Sequence, residues 1–190
     1  MGSFFILTGG PCAGKTTLLA ELRRRGHPVI PEAARAVILE GQFHPSRDPL
    51  EFQRAVLRRQ VSLEEASLRE TGVEESVFVD RAIGDHFGYL EHYRNHCGLD
   101  LLQSDFQREL LEAWEKALGR YAAVFLLEQN PDYVSAVYRR ESAAQALAIH
   151  QALASAYRSR HPRVLNIPWC SLEKRVEEIL AAVGKSRRCP

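Results

Sequence analysis

Residues 9–16 have types and spacing that suit phosphate binding. They read GGPCAGKT, which matches the pattern G-x-x-x-x-G-K-[ST] in full. In this pattern the glycines let the backbone curl so that successive amides point at phosphate oxygens. Lys15 would neutralise charge on the β- and γ-phosphates, and the Thr16 hydroxyl is suited to bind Mg²⁺. We therefore predict a nucleotide-binding loop that contacts its ligand through Gly10, Pro11, Cys12, Ala13, Gly14, Lys15, Thr16 and Thr17.

Two carboxylates follow predicted strands and could act on the same ligand. Asp80 ends the apolar run 77–79 and could hold Mg²⁺ directly or through water. Glu32 follows the short run 29–31 and could act as a general base toward an attacking hydroxyl. Ligands of open α/β sheets bind outside the carboxyl ends of the strands, so both acids should face the cleft that holds Lys15. The alternative for Glu32 is an acid at a helix N-terminus, where the helix dipole stabilises it.

Three arginines could contact an anionic substrate or a transferring phosphoryl group. Arg81 directly follows Asp80, and Arg35 stands one helical turn after Glu32, where it could bind an anionic substrate or pair with Glu32. Arg139 lies between the fourth and fifth predicted strands, in the interval where a lid would fold over a nucleotide. An arginine there can stabilise charge on the phosphoryl group. The alternative is that Arg139 is a solvent-exposed residue at the start of a helix.

These residues are distributed over a chain in which short apolar runs alternate with helical patterns. Such alternation predicts an α/β protein with a parallel sheet covered by helices on both faces. The predicted strands are 4–8, 29–31, 77–80, 124–127 and 164–167. The predicted helices are 14–25, 32–39, 50–69, 105–118, 142–158 and 172–183. The histidine-rich segment 82–97 is mixed in pattern and receives no assignment.

Polar residues away from the strand ends raise two further possibilities. His92 and His96 have the i, i+4 spacing of a metal-binding pair, but zinc sites need a second ligand pair, and none is apparent. We therefore interpret the segment 82–97 as a wall of the substrate site. Gln53 and Gln60 on the third predicted helix could hydrogen-bond a substrate base or sugar, although surface exposure is the simpler explanation.

The composition fits one compact domain, with 190 residues, 45% hydrophobic residues and a net charge of +1. We predict a single domain over residues 1–184 and a polar tail over 185–190. The balanced charge and the lack of a basic stripe with interleaved aromatics disfavour nucleic acid as a partner. No apolar stretch approaches the length of about 18 residues expected of a membrane span, so no membrane partner is expected. The four scattered cysteines suit a reducing, cytoplasmic compartment, and either a monomer or a homodimer is compatible with the sequence.

Several of these segments together resemble a known family. Residues 7–17, 31–35 and 78–85 are similar to motifs of the phosphate-loop (P-loop), AAA-type ATPase and kinase-like family that includes the ribosylnicotinamide kinase domain of the bacterial NAD regulator. Residues 139–157 look like the lid and following helix of that family. The chain departs from the family at residues 128–138, where the usual apolar-Pro-Pro-Trp segment and the acids before the lid arginine are missing.

The resemblance implies a fold and a set of roles. The fold would be a three-layer α/β/α P-loop NTPase of the nucleotide-kinase type, with a five-stranded parallel sheet and a helical lid. The combination of Glu32 with Asp80 and Arg81 is also similar to the layout of deoxynucleoside kinases. That likeness implies that Glu32 is the general base, that Arg81 contacts the phosphoryl region and that Asp85 contacts the substrate.

We expect from these features an ATP- and Mg²⁺-dependent phosphotransferase that acts on a hydroxyl of a nucleoside-like or other small metabolite. ATP is the expected donor because the chain has no Asn-Lys-x-Asp motif, which reads guanine. The alternative is a nucleotide-dependent ATPase or GTPase switch, or a binding module, with no phosphoryl acceptor. The expected catalytic residues are Lys15, Glu32, Asp80, Arg81 and Arg139, and the expected substrate contacts are Glu32, Arg35 and Asp85.

Overall fold

The computed structural model describes residues 3–70, 75–101, 104–131 and 142–186. Within these ranges the chain forms strands and helices in alternation. The strands are β1 (Ser3–Thr8), β2 (Val29–Ile30), β3 (Ser76–Asp80), β4 (Tyr121–Leu127) and β5 (Val164–Ile167). The helices are α1 (Lys15–Arg24), α2 (Ala33–Glu40), α3 (Pro49–Glu70), α4 (Asp85–Cys97), α5 (Ser104–Leu118), α6 (Ala143–Arg158) and α7 (Leu172–Ser186).

The five strands form one parallel sheet in the order β2-β3-β1-β4-β5. Leu7 pairs with Asp80, so the carboxyl ends of β1 and β3 lie side by side at one edge of the sheet. The outermost strands are short, with two residues in β2 and four in β5. Prolines flank both of them, at positions 28 and 31 around β2 and at 162 and 168 around β5.

The two faces of the sheet bury separate hydrophobic clusters because alternate residues of a strand point to opposite faces. Phe4 and Ile6 of β1 pack in a cluster with residues of α3, α4, α5 and α6. Phe5 and Leu7 pack on the other face with residues of α1 and α7. This three-layer arrangement confirms the predicted α/β/α fold with five parallel strands.

Helix α4 is the element that the sequence pattern did not reveal. Its buried residues include Asp85, His86, Gly88, Leu90 and His92, so the side facing the interior is largely polar and lacks an apolar stripe. A hydrophobic period of 3.6 residues is therefore absent from its sequence. Helix α7 continues to Ser186, beyond the predicted helix end at 183. None of the described helices combines the length and the apolar composition that a membrane-spanning helix requires.

Candidate functional site

The loop between β1 and α1 is curled by three residues with positive φ. These are Gly9 at 141°, Cys12 at 61° and Gly14 at 78°, which is the N-cap of α1. A Cβ on Gly9 would lie 2.6 Å from the carbonyl oxygen of Leu127, so the loop also approaches the end of β4 closely. Cys12 is a non-glycine residue in the left-handed region, and such local strain concentrates at functional sites.

Lys15 extends along the inside of this loop. Its Nζ donates hydrogen bonds to the carbonyl oxygens of Gly9 and Gly10 at 2.8 and 2.9 Å. Burial, followed by repulsion from Arg81, lowers the pKa of Lys15 to about 7. The ammonium is therefore partly deprotonated near neutral pH, and an anionic ligand beside it would restore the charge.

Asp80 ends β3 next to the loop and carries a buried oxygen without a donor. Its Oδ1 has no hydrogen-bond partner among the described residues. Burial, followed by the charge of Glu32, raises the pKa of Asp80 to about 6. An orphaned, desolvated carboxylate oxygen is costly unless it is protonated or paired with a cation.

Asp80 and Thr16 carry oxygen donors of the kind that could bind Mg²⁺. Thr16 is exposed in the first turn of α1, and its hydroxyl, like the Asp80 carboxylate, is a hard oxygen ligand. The described residues contain no group of three or more His, Cys, Asp or Glu side chains that could hold a metal by themselves. Mg²⁺ does not need such a group, because it is bound through one or two carboxylates together with phosphate oxygens and water.

Arg81 connects the loop with two carboxylates. Its Nε lies 3.1 Å from Glu32 Oε1, its Nη1 lies 2.9 Å from Asp85 Oδ1, and its Nη2 lies 3.2 Å from the carbonyl oxygen of Gly9. The backbone of Arg81 has a φ of 63°, in the left-handed region. Glu32 is the N-cap residue of α2 but makes no side-chain capping bond, so its carboxylate turns toward Arg81 and the loop.

Asp85, the first residue of α4, is held inside the protein. Its Oδ1 accepts from the Thr8 hydroxyl at 2.7 Å as well as from Arg81, and its Oδ2 accepts from the Ala82 amide at 3.0 Å and the Tyr157 hydroxyl at 2.6 Å. Only 4% of Asp85 is exposed. This geometry favours a structural role for Asp85 over the substrate contact expected from the resemblance.

The remaining predicted site residues lie apart from this hydrogen-bonded group. Arg35 is exposed on α2, and Glu32 pairs with Arg81 rather than with Arg35. Thr17 is exposed in the first turn of α1. Arg139 lies outside the described residues, so its role in a lid stays a prediction.

Two residues outside the predicted site, Gln129 and His150, reach the loop. Gln129 Nε2 lies 3.4 Å from the carbonyl oxygen of Pro11, and His150 Nδ1 lies 3.5 Å from the amide nitrogen of Gly10. Gln129 could have been selected because it follows β4 at the same sheet edge as the other site residues. His150 lies within α6, and nothing in its sequence context marks it.

Gln53 and Gln60 are buried, so their interpretation as surface residues is wrong. They are 4% and 2% exposed. Gln53 Oε1 lies 2.7 Å from His86 Nδ1, and Gln60 Nε2 donates to Glu64 Oε1 at 2.9 Å. Burial lowers the pKa of His86 to about 4, so this imidazole is neutral at physiological pH. The i, i+4 spacing of Gln60 and Glu64 was the available signal for their pair.

Comparison with known structures identifies the same fold. The chain is similar to the NadR protein in complex with NR, with 15% sequence identity and a TM-score of 0.74. This match covers 100% of this chain and 52% of the NadR chain. It is also similar to thymidylate kinase from Candida albicans, with 10% identity and a TM-score of 0.68. That match covers 98% of this chain and 92% of the kinase. Deoxyadenosine kinase from M. mycoides matches with 11% identity and a TM-score of 0.67, over 96% of this chain and 99% of the kinase.

These likenesses concern the fold, since all three identities are low. The chain spans about half the length of the NadR chain that it matches. No curated protein sequence matches it. A family model described as an AAA domain matches residues 4–175, which is most of the chain. The resemblance found in the sequence is thus confirmed, and the chain belongs to this AAA domain family, with the fold of the P-loop nucleotide kinases.

Proposed function

We propose that this protein is an ATP- and Mg²⁺-dependent phosphotransferase acting on a hydroxyl of a nucleoside-like or other small metabolite. The observation that carries the proposal is the grouping of Glu32, Asp80 and Arg81 around Lys15 at one edge of the sheet. Arg81 bonds both to Glu32 and to the carbonyl oxygen of Gly9. A base, a metal ligand and two cations therefore surround the place where a phosphate chain would lie on the loop.

On the donor side, the loop amides and Lys15 would bind the phosphates, and the α1 N-terminus adds the positive end of its dipole. Asp80 and Thr16 would hold Mg²⁺, which when bound neutralises charge on the β- and γ-phosphate oxygens. The neighbours support an adenine nucleotide as donor, since one NadR structure is described in complex with NAD and AMP-PNP.

On the acceptor side, Glu32 would take the proton of the attacking hydroxyl. The hydroxyl oxygen forms a bond to the γ-phosphorus while the bond from that phosphorus to the bridging oxygen breaks, and ADP leaves with that electron pair. Arg81, and Arg139 if the lid role holds, would stabilise the charge that spreads over the transferring group. Electrostatic stabilisation of the transition state by fixed cations is the main contribution that such enzymes make to the reaction rate.

A screen for an acceptor tests the proposal directly. The panel contains ribonucleosides, deoxynucleosides, nucleoside monophosphates and NR, because the neighbours are described with NR and dCMP. ADP release from Mg·ATP is measured with and without each compound. At least one compound should raise ADP release and yield its own phosphorylated product. If none does, the nucleotide-dependent switch becomes the better interpretation.

The variant Glu32→Gln separates the two interpretations by a different route. The glutamine keeps an oxygen for Arg81 but loses the basicity, so we expect transfer to fall about 10²–10⁴-fold while ATP affinity changes little. Glu40→Gln is the matched control, because Glu40 ends the helix α2 that begins after Glu32 and pairs with exposed Arg59. Activity equal to that of the wild type in Glu32→Gln would exclude Glu32 as the base.

A further inference from the structure

We infer that Tyr157, on the distant helix α6, is a positioning residue that orients Arg81 through the carboxylate of Asp85. This inference rests on the proposed function, because it explains how Arg81 is aimed at the transferring phosphoryl group. Asp85 and Tyr157 are far apart in the chain, with a sequence separation of 72. Their contact exists only because α6 packs against the start of α4.

Each oxygen of the Asp85 carboxylate accepts two hydrogen bonds. Oδ1 accepts from the Thr8 hydroxyl and from Arg81 Nη1, while Oδ2 accepts from the Ala82 amide and the Tyr157 hydroxyl. The Tyr157 bond, at 2.6 Å, is the shortest of the four. Because the carboxylate is buried, water does not readily replace a donor that is lost. The donors on Oδ2 therefore determine the direction in which Oδ1 points.

The Tyr157 ring is held in place from two sides. It is fully buried, and a Cβ on Gly84 would lie 2.5 Å from the ring, so only glycine fits between the ring and the turn before α4. The ring of Trp114 meets it edge to face at 6.3 Å. Burial and the Asp85 charge raise the pKa of Tyr157 well above its usual range, so the hydroxyl stays protonated as a donor. Tyr157 is thus a rigid support for Asp85.

Arg81 depends on this support more than an ordinary surface arginine would. Its backbone is in the left-handed region, and its guanidinium also interacts with Glu32 and with the face of the Tyr89 ring at 5.2 Å. Without the Tyr157 hydroxyl, Oδ2 would keep the Ala82 amide alone, and the carboxylate could rotate away from Nη1. An arginine that stabilises a transition state must already be in place when charge develops.

The variant Tyr157→Phe tests this role because it removes one hydroxyl and keeps the ring. We expect kcat to fall about tenfold, since hydrogen bonds to charged groups are among the stronger ones. The KM for the acceptor should change by less than about twofold, whereas ATP affinity should fall together with kcat, because Arg81 Nη2 also bonds to the carbonyl oxygen of Gly9 in the phosphate loop. Ile179→Val is the control: it removes one fully buried methylene group on α7, on the other face of the sheet from Tyr157. It should lower stability similarly and leave kcat unchanged.

A double-mutant cycle with Arg81→Lys distinguishes the positioning of Arg81 by Tyr157 from a general loss of stability of the fold. If Tyr157 acts through Arg81, Tyr157→Phe should change kcat by less than about twofold in the Arg81→Lys background. Tenfold losses in both backgrounds would overturn the inference, as would an unchanged kcat in Tyr157→Phe. An equal loss of kcat in Ile179→Val would also overturn it.

The same cycle can be measured through binding if no acceptor is found. Arg81 Nη2 bonds to the carbonyl oxygen of Gly9, so a displaced Arg81 should also weaken Mg·ATP binding, measured by calorimetry. Non-additive losses of affinity would support Tyr157 as a positioning residue even if the phosphotransfer proposal has failed. Additive losses would reject the inference whatever the acceptor screen gives.

Discussion

Replacing Asp80 with asparagine should stabilise the ligand-free protein while removing its response to Mg²⁺. The Asp80 carboxylate is 8% exposed, and its Oδ1 has no donor among the described residues. Its pKa is raised from 3.8 to about 6 by burial and by Glu32. Each pKa unit corresponds to about 1.36 kcal/mol, so the ionised group destabilises the fold by about 3 kcal/mol.

The size of this stabilisation depends on pH, because Asp80 is ionised only above its pKa. The pKa of Asp80 is higher in the folded than in the unfolded protein, so the penalty is absent below about pH 4 and complete above about pH 6. Asp80→Asn should therefore gain about 3 kcal/mol of unfolding free energy at about pH 8 and about half of that at about pH 5. Urea denaturation at the two pH values, without nucleotide or metal, measures the gain.

A matched control and a second readout sharpen this experiment. Glu112→Gln neutralises an exposed carboxylate on α5 and should change stability by less than about 0.5 kcal/mol at both pH values. In the presence of ATP, Mg²⁺ should raise the melting temperature of the wild type and of Glu112→Gln more than that of Asp80→Asn. A gain that does not depend on pH, or a loss of stability at about pH 8, would refute our account of Asp80.

Two further predictions concern the loop lysine and the packing of α4. Since Lys15 has a pKa of about 7 and must be charged to face phosphates, ATP affinity should fall between about pH 7 and about pH 9, with proton uptake on binding. Calorimetry in two buffers measures both quantities, and a flat profile in the wild type would contradict the lowered pKa. Gly88→Ala should lower the unfolding free energy by about 1–3 kcal/mol in urea titrations, because its Cβ would lie 2.8 Å from the Cα of Leu153. Gly119→Ala, with open space around its Cβ, is the control, and equal losses in both variants would contradict the close approach of α4 and α6.

The fold and the centre of the site could be predicted because their signals are local. The strand β1, the loop and α1 are contiguous, and the identities of Gly14 and Lys15 specify a turn and a charge without reference to the rest of the chain. Asp80 and Glu32 could be assigned to the same cleft because the carboxyl ends of parallel strands meet at one edge. In the structure β2 lies beside β3, and Glu32 contacts Arg81, the residue after Asp80, while the chemical roles of these residues stay predictions.

The parts that could not be predicted depend on contacts between distant segments. The Asp85 carboxylate takes donors 77 and 72 positions away, from Thr8 and Tyr157. An aspartate in the sequence does not reveal whether its carboxylate is buried or which groups donate hydrogen bonds to it. Burial of Gln53 likewise depends on His86, which lies on another helix 33 positions away. Such polar pairs are specified by tertiary packing, which leaves no period in the sequence.

The prolines around the outermost strands limit how this sheet can associate with other chains. An edge strand offers unpaired backbone groups that can recruit a strand from a neighbouring molecule and start aggregation. Proline has no amide hydrogen and cannot extend such a ladder. With Pro28 and Pro31 around β2 and Pro162 and Pro168 around β5, a foreign strand would find at most a few backbone groups at either margin. The sheet is therefore protected against growth beyond its own five strands.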